Sequence, residues 1–451
     1  MVGGNKISIV FEELLFLKIF QTFRMAIQPT KLIITSCALA LICLSGWLMD
    51  FSKTVAVSRD NNNKIILTEL QVYITSPTPA DARTGIERLS KRDHRSGVFS
   101  ILWSSAATRF KLAVESVFRH DILGVVHNIN DFFKSLLWAI QYHYIYCTAF
   151  FIIVLAVLSV AGGAICRIAA LQNSQGEKPG LTEAMRFSIK RFKSLFTAPL
   201  VPILIIFSIG IFIFILGLLG NIPVAGEIIV GLGMPLALFT GTLIAIVLIG
   251  AVAGFNLMFP AVAYDGSDCF DSISRSFSYV YARPWRMLAY TSLAAVYGSV
   301  CYTFVRVVAF LSLAVTRGFI QLVIWTNNYS DQANKLDVIW PKPEFMSLFG
   351  SSTTTAITWS EKTAAFLIYF FVLVIIGLVV SFIISFYFSA NTIIYSLLRK
   401  KVDNTPLDDI YTYYIEADTE IDIPEPKNEK EQSETEPESE PEPQSEPDEN
   451  S

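Results

Sequence analysis

Charge is scarce in this chain and histidine scarcer, and both shortages narrow its function. Charged residues make up 16% of the 451 residues, against roughly a quarter in soluble domains. Hydrophobic residues make up 53% and the mean hydropathy is +0.49, which excludes an ordinary soluble globular protein. The four histidines, His94, His120, His127 and His143, stand at no metal-binding spacing, so an HExxH site is absent. Walker A, GxSxG and kinase signatures are absent as well. The six cysteines, Cys37, Cys43, Cys147, Cys166, Cys269 and Cys301, contain no CxxC pair, and five lie in or beside apolar runs. They read as small apolar residues rather than as a disulfide or metal framework. No metal, no cofactor and no enzymatic activity is expected. Nucleic-acid binding has no support either, because the basic residues flank apolar runs instead of covering a soluble domain.

What the chain has is long apolar runs. Six, near 31–49, 138–165, 198–220, 228–257, 286–312 and 363–397, suffice to cross a hydrocarbon core of ~30 Å, which takes about 20 helical residues. Basic residues follow every second run: Arg167, Lys178, Arg186, Lys190, Arg191 and Lys193, then Arg275, Arg283 and Arg286, then Arg399, Lys400 and Lys401. The turn from Asn221 to Glu227 has none. The expectation is an all-α, six-span protein of the bacterial inner membrane with both termini in the cytoplasm.

The flanking segments divide the rest. Residues 1–30 carry Ile7, Phe11, Leu14, Leu15, Ile19 and Phe23 at helical spacing, interrupted by charge, and read as an interfacial helix before an uncleaved first span at 31–49. Residues 50–136 read as an extracytoplasmic segment with amphipathic helices, docked on the outer surface or on the bundle. Within it, Ile65 to Ile74 is rich in β-formers. Residues 137–411 form the five-span membrane domain, and 412–451 an acidic tail of Glu, Pro and Ser. The tail, too polar to bury a core, is expected to be disordered. Much of the chain's acid lies there, so the net charge of −4 hides a basic excess near the span ends.

The stretch GFNLMFPAVAYDGSDCFDSISRSFSYVYARPWRMLAY, from Gly254 to Tyr290, links one span to the next through an amphipathic elbow. Asp268 is its expected N-cap, Asp271 pairs with Arg275 one turn on, and Trp285 marks re-entry at the interface. An earlier elbow runs from Leu181 to Pro199. Leu181, Ala184, Met185, Ser188, Phe192 and Leu195 share one face there, while Arg186, Lys190, Arg191 and Lys193 suit anionic headgroups. Asn391 to Tyr411 loosely echoes the exit after Asn256. Together these suggest parallel hairpin repeats, although any amphipathic elbow between two spans would look similar.

Polar groups within the runs are few. Arg306 interrupts one and is expected to snorkel at the outer interface, with a ligand or partner contact as the alternative. Asn256 and Asn391 lie near inner span ends and are read as interhelical bonds or ligand contacts. Asp265, Asp268 and Asp271 are explained by capping and solvation. Gly377, Ser381, Ser385 and Ser389 form a small-residue stripe that lets helices approach closely, Gly241 with Ala245 and Gly250 with Gly254 do likewise in the fourth run, and Gly210 and Gly217 mark one face of the third. Pro202 and Pro235 are expected to kink their helices.

The segment AVAYDGSDCFDSISRSFSYVYARPWRMLAY resembles uncharacterised multi-pass membrane proteins of planctomycete-type bacteria, over roughly 180–411. An amphipathic helix followed by proline and a span is also similar to the membrane domain of some glycerophosphodiester phosphodiesterases. Neither resemblance implies an activity for this membrane part. The sequence therefore points to a scaffold or membrane-organising protein that contacts the bilayer and a second membrane protein. The alternative is a transporter or channel with a site between the hairpins.

Overall fold

In a computed structural model the described residues are 14–59, 65–91, 94–119, 121–323, 335–350 and 358–411. His120, the acidic tail and the first thirteen residues lie outside them. A 3₁₀ segment, Leu14–Gln21, leads into α1 (Thr22–Ala26) and then α2 (Pro29–Met49), where Pro29 occupies the first turn. Proline needs no intrahelical bond there.

A small mixed unit follows. Strands β1 (Val55–Arg59), β2 (Ile65–Thr68) and β3 (Arg95–Ser96) form an antiparallel sheet in the order β2-β1-β3. Around it lie α3 (Glu69–Thr75), α4 (Pro79–Ser90), α5 (Val98–Phe118) and α6 (Ile122–Tyr142). Two expectations change here. The β-rich run is strand only to Thr68, because Thr68 and Gln71 form a capping box that starts a helix. The segment also has its own core rather than only a docked surface: Val55, Val57, Leu70, Ile86, Val98, Ile101 and Trp138 are buried together. Asp50, at the end of α2, ties this unit to the first span. Its carboxylate accepts the Phe99 and Ser100 amides at 2.8 Å each, capping α5. A Cβ at Gly97 would collide with that carboxylate, so glycine is required there.

The second candidate span, α7 (Tyr144–Ser174), begins later than expected. His143 breaks the backbone at φ −131° and ψ 43°, so Trp138 belongs to the sheet unit and not to the span. Then come α8 (Leu181–Lys190) and α9 (Phe192–Thr197), α10 (Val201–Leu219), α11 (Ala225–Asp265), α12 (Cys269–Ala282), α13 (Pro284–Val323), α14 (Lys335–Ile339) and α15 (Trp359–Val402). Helices α2, α7, α10, α11, α13 and α15 are long and apolar enough to cross a membrane. Helix is the dominant element throughout, with the small sheet as an addition to the all-α expectation.

Burial is uneven along these helices. Phe207, Phe214, Leu232 and Phe239 on the α10–α11 hairpin are exposed, as expected of surface that faces lipid tails. The densest core lies at the opposite end of α11, where Leu257, Ala261 and Tyr264 pack with Ala169, Ala170, Ile393, Ile394 and Leu398. Helices α11 and α15 run in the same direction here, since Asn256 meets Tyr387, Phe259 meets Phe388 and Tyr264 meets Tyr395.

The small-residue signals divide in two. Ser381 meets Ser36 at 3.0 Å, Ser385 donates to the Ala26 carbonyl at 2.8 Å, and Ser389 accepts from Lys31 at 3.3 Å, so the serine stripe seats α1 and α2. Gly250 and Gly254 receive Phe277 and Ser276 of α12. By contrast Gly210, Gly217, Gly241 and Gly377 face open space and are not close approaches between helices. Pro202 falls in the first turn of α10, where it causes no break, whereas Pro235 and Pro260 lie inside α11.

Candidate interaction face and groove

The two segments expected as elbows, α8 and α12, fold back along the helices that precede them. Ser188 of α8 donates to the Val160 and Ser159 carbonyls of α7 at 2.6 and 3.1 Å. Ser272 of α12 donates to the Met258 carbonyl at 2.7 Å, and the Tyr281 hydroxyl of the same helix donates to the Ile246 carbonyl. Asp268 caps α12 by accepting the Asp271 amide at 2.9 Å, and Asp271 accepts the Arg275 Nε at 3.0 Å. Both contacts match the spacing in the sequence.

Asp265 does not match it. Expected to be solvated, it is the hub of a buried knot where α7, α11 and α15 end. Its side chain is 6% exposed and faces Arg399 Nε at 3.2 Å and Arg275 at 3.5 Å, while the Tyr395 hydroxyl donates to it. Asn173 of α7 donates to the Tyr264 hydroxyl at 2.6 Å and the Ser396 hydroxyl at 3.0 Å. The chain beyond α15 is pinned to the same knot. Arg399 binds the Asp409 carboxylate at 3.0 Å, the Tyr411 amide donates to the Tyr264 carbonyl at 2.8 Å, and Arg191 lies 5.5 Å over the Tyr411 ring. Tyr279 donates to Asp403; burial first, and then this bond to a carboxylate, push its phenol above the usual range. After α15 the chain continues as an irregular strap anchored by Asp409, with no helix corresponding to α12 among the described residues.

Three of the basic elbow residues, Arg186, Lys190 and Lys193, are exposed, and Arg191 is half-buried under its contact with Tyr411. Trp285 is 80% exposed at the head of α13. Arg306 lies away from these residues and is buried. Its guanidinium donates to the Phe345 and Met346 carbonyls at 3.0 and 3.1 Å, and Arg317 likewise donates to Trp340 at 3.1 Å. These arginines staple the loop before α15 onto α13, so Arg306 does not snorkel as expected but is buried against that loop's carbonyls.

Asn256 and Asn391 line a groove of about 590 Å³ between α13 and α15. Tyr387 joins them: its hydroxyl donates to Asn256 Oδ1, and its carbonyl accepts from Asn391 Nδ2 at 2.9 Å. Neither Arg306 nor the serine stripe belongs to that lining. One group went unnoticed in the sequence. Lys31 is fully buried, with Ser389 as its hydrogen-bond acceptor. At the head of a span a lysine is expected to snorkel, which hid it. Among the described residues no cluster of His, Cys, Asp or Glu is arranged to hold a metal.

These features define a helical protein with six membrane-crossing candidates, a tied knot at one end and a lateral groove. No family model matches the chain, and no curated protein or solved structure matches it.

Proposed function

We propose that this is a non-enzymatic multi-pass protein of the bacterial inner membrane, with both termini cytoplasmic, that organises a second membrane protein at its inner face. The observation that supports this reading is the fixed elbow: α8 and α12 are bonded to their own spans while Arg186, Lys190 and Lys193 remain exposed. A rigid basic platform beside a bilayer attracts anionic headgroups and acidic partner segments. The knot around Asp265 supports it further, because it holds three span ends in one arrangement.

Lysine cross-linking in native membranes tests this. Links to a partner should concentrate at Lys190 and Lys193 and fall sharply in an Arg186→Glu variant, which reverses a platform charge and keeps both reactive amines. The groove with Asn256 and Asn391 favours a second reading, transport of an uncharged or amphiphilic solute. Solute flux in proteoliposomes, unaffected by the charge reversal and without partner links, would make the second reading the correct one.

A further inference from the structure

The lateral groove has the properties of a lipid site rather than of a water-filled path. Its walls are Thr291 to Thr303 on α13 and Phe382 to Ile394 on α15, with Phe110 and Val114 of α5 closing one end. At 1.5 Å per residue the α13 wall is about 18 Å long, slightly deeper than one leaflet of a ~30 Å hydrocarbon core. The volume of about 590 Å³ lies within the range of ligand sites.

The polar groups on the walls are mostly satisfied within their own helices. Ser299 donates to the Ala295 carbonyl at 2.8 Å and Thr303 to the Ser299 carbonyl at 2.9 Å. Such a wall offers hydrocarbon contact and makes no demand for a polar solute along its length. The end near Asn256 and Asn391 differs. With Asn256 Oδ1 taken by Tyr387 and Asn391 Nδ2 donating to the Tyr387 carbonyl, each amide keeps its other group for a ligand: a donor on Asn256 and an acceptor on Asn391.

Charge is placed at this same end. Arg283 and Arg286 are exposed where α13 begins, just below Thr291, and Trp285 between them is 80% exposed. An exposed tryptophan between arginines at a span end is the pattern of a headgroup interface. We infer that the groove holds one acyl chain of an anionic phospholipid from the leaflet at the elbow end, with its ester region at Asn256 and Asn391 and its phosphate at Arg283 and Arg286. The inference rests on α13 and α15 crossing a bilayer. It does not need the partner platform proposed above.

Native mass spectrometry of the full chain, released from nanodiscs containing equal phosphatidylglycerol and phosphatidylcholine, reads the bound lipid directly. The wild type should retain one phosphatidylglycerol in preference to phosphatidylcholine. Ser299→Trp, which places a ring in the groove from an exposed position, should lower that retention by about tenfold or more. Arg283→Ala with Arg286→Ala should retain lipid but lose the headgroup preference. The elbow reversal Arg186→Glu, Lys190→Glu, Lys193→Glu should leave both unchanged, which separates this site from the platform. Undiminished retention in Ser299→Trp, or equal retention of the two lipids by the wild type, overturns the inference. So does a lipid-free dimer with the groove covered by a second copy.

Discussion

Arg399 and Asp265 meet across the ends of α15 and α11, Nε to Oδ1 at 3.2 Å, with side chains only 10% and 6% exposed. Each comes from a different span, and the pair also gathers Arg275, Tyr395 and Asp409. Burying two charges is costly, and the hydrogen bonds that offset the desolvation come from the neighbours, Tyr395 donating to Asp265 and Arg399 donating to Asp409.

Removing one partner leaves the other charge buried. Asp265→Asn or Arg399→Met should therefore destabilise the protein by about 3–5 kcal/mol. The double variant should cost less than the two singles summed, by about 0.5–3 kcal/mol of coupling. Denaturant unfolding in detergent measures this cycle, and strict additivity would deny the contact.

Tyr279 gives a pH signature. Burial and its bond to Asp403 raise the folded phenol above the unfolded value of about 10. A group raised in this way contributes its stability in full below the unfolded pKa and loses it as pH rises through the folded one. Stability should thus fall above pH ~10 in the wild type, and Tyr279→Phe should fall less steeply over that window. Thermal melts between neutral pH and strongly alkaline pH follow the difference.

The loop before α15 depends on two arginines. Arg306→Gln removes charge-assisted bonds to the Phe345 and Met346 carbonyls, each worth about 1.5–3 kcal/mol. Residues 335–350 should become accessible to protease while the elbow end remains protected. Equal protection of this loop in the variant and the wild type would contradict the staple.

Strain is concentrated in the turn between α10 and α11. Val224 has φ 65° and ψ −51°, and the Ala225 amide donates to the Pro223 carbonyl at 2.8 Å, making a positive-φ γ-turn on a β-branched residue. That conformation is rare and strained. Val224→Gly relieves it and should stabilise the hairpin by about 1 kcal/mol, net of glycine's greater unfolded entropy. A rise in melting temperature reports it.

The parts of this fold that repeat locally could be read from the sequence. Six apolar runs gave six helices, the Asp268 cap and the Asp271–Arg275 pair follow from spacing, and the serine stripe marks a real helix contact. What was hidden depends on distant partners. Asp265 looks like a solvated aspartate beside Asp268 until Arg399 arrives from a span far along the chain. Arg306 interrupts an apolar run, and only the loop carbonyls of Phe345 and Met346 explain why. The core of the sheet unit was obscured because its strands are short and its largest buried residue, Trp138, stands at the edge of an apolar run.

The platform itself is tested most directly by a photo-cross-linking residue placed at Lys193, with Val224 in the opposite turn as the control position. In native membranes position 193 should give a discrete protein adduct that disappears in the Arg186→Glu, Lys190→Glu variant, while position 224 gives none. Adducts at 224 with none at 193, or adducts at 193 indifferent to the charge reversal, would contradict the account.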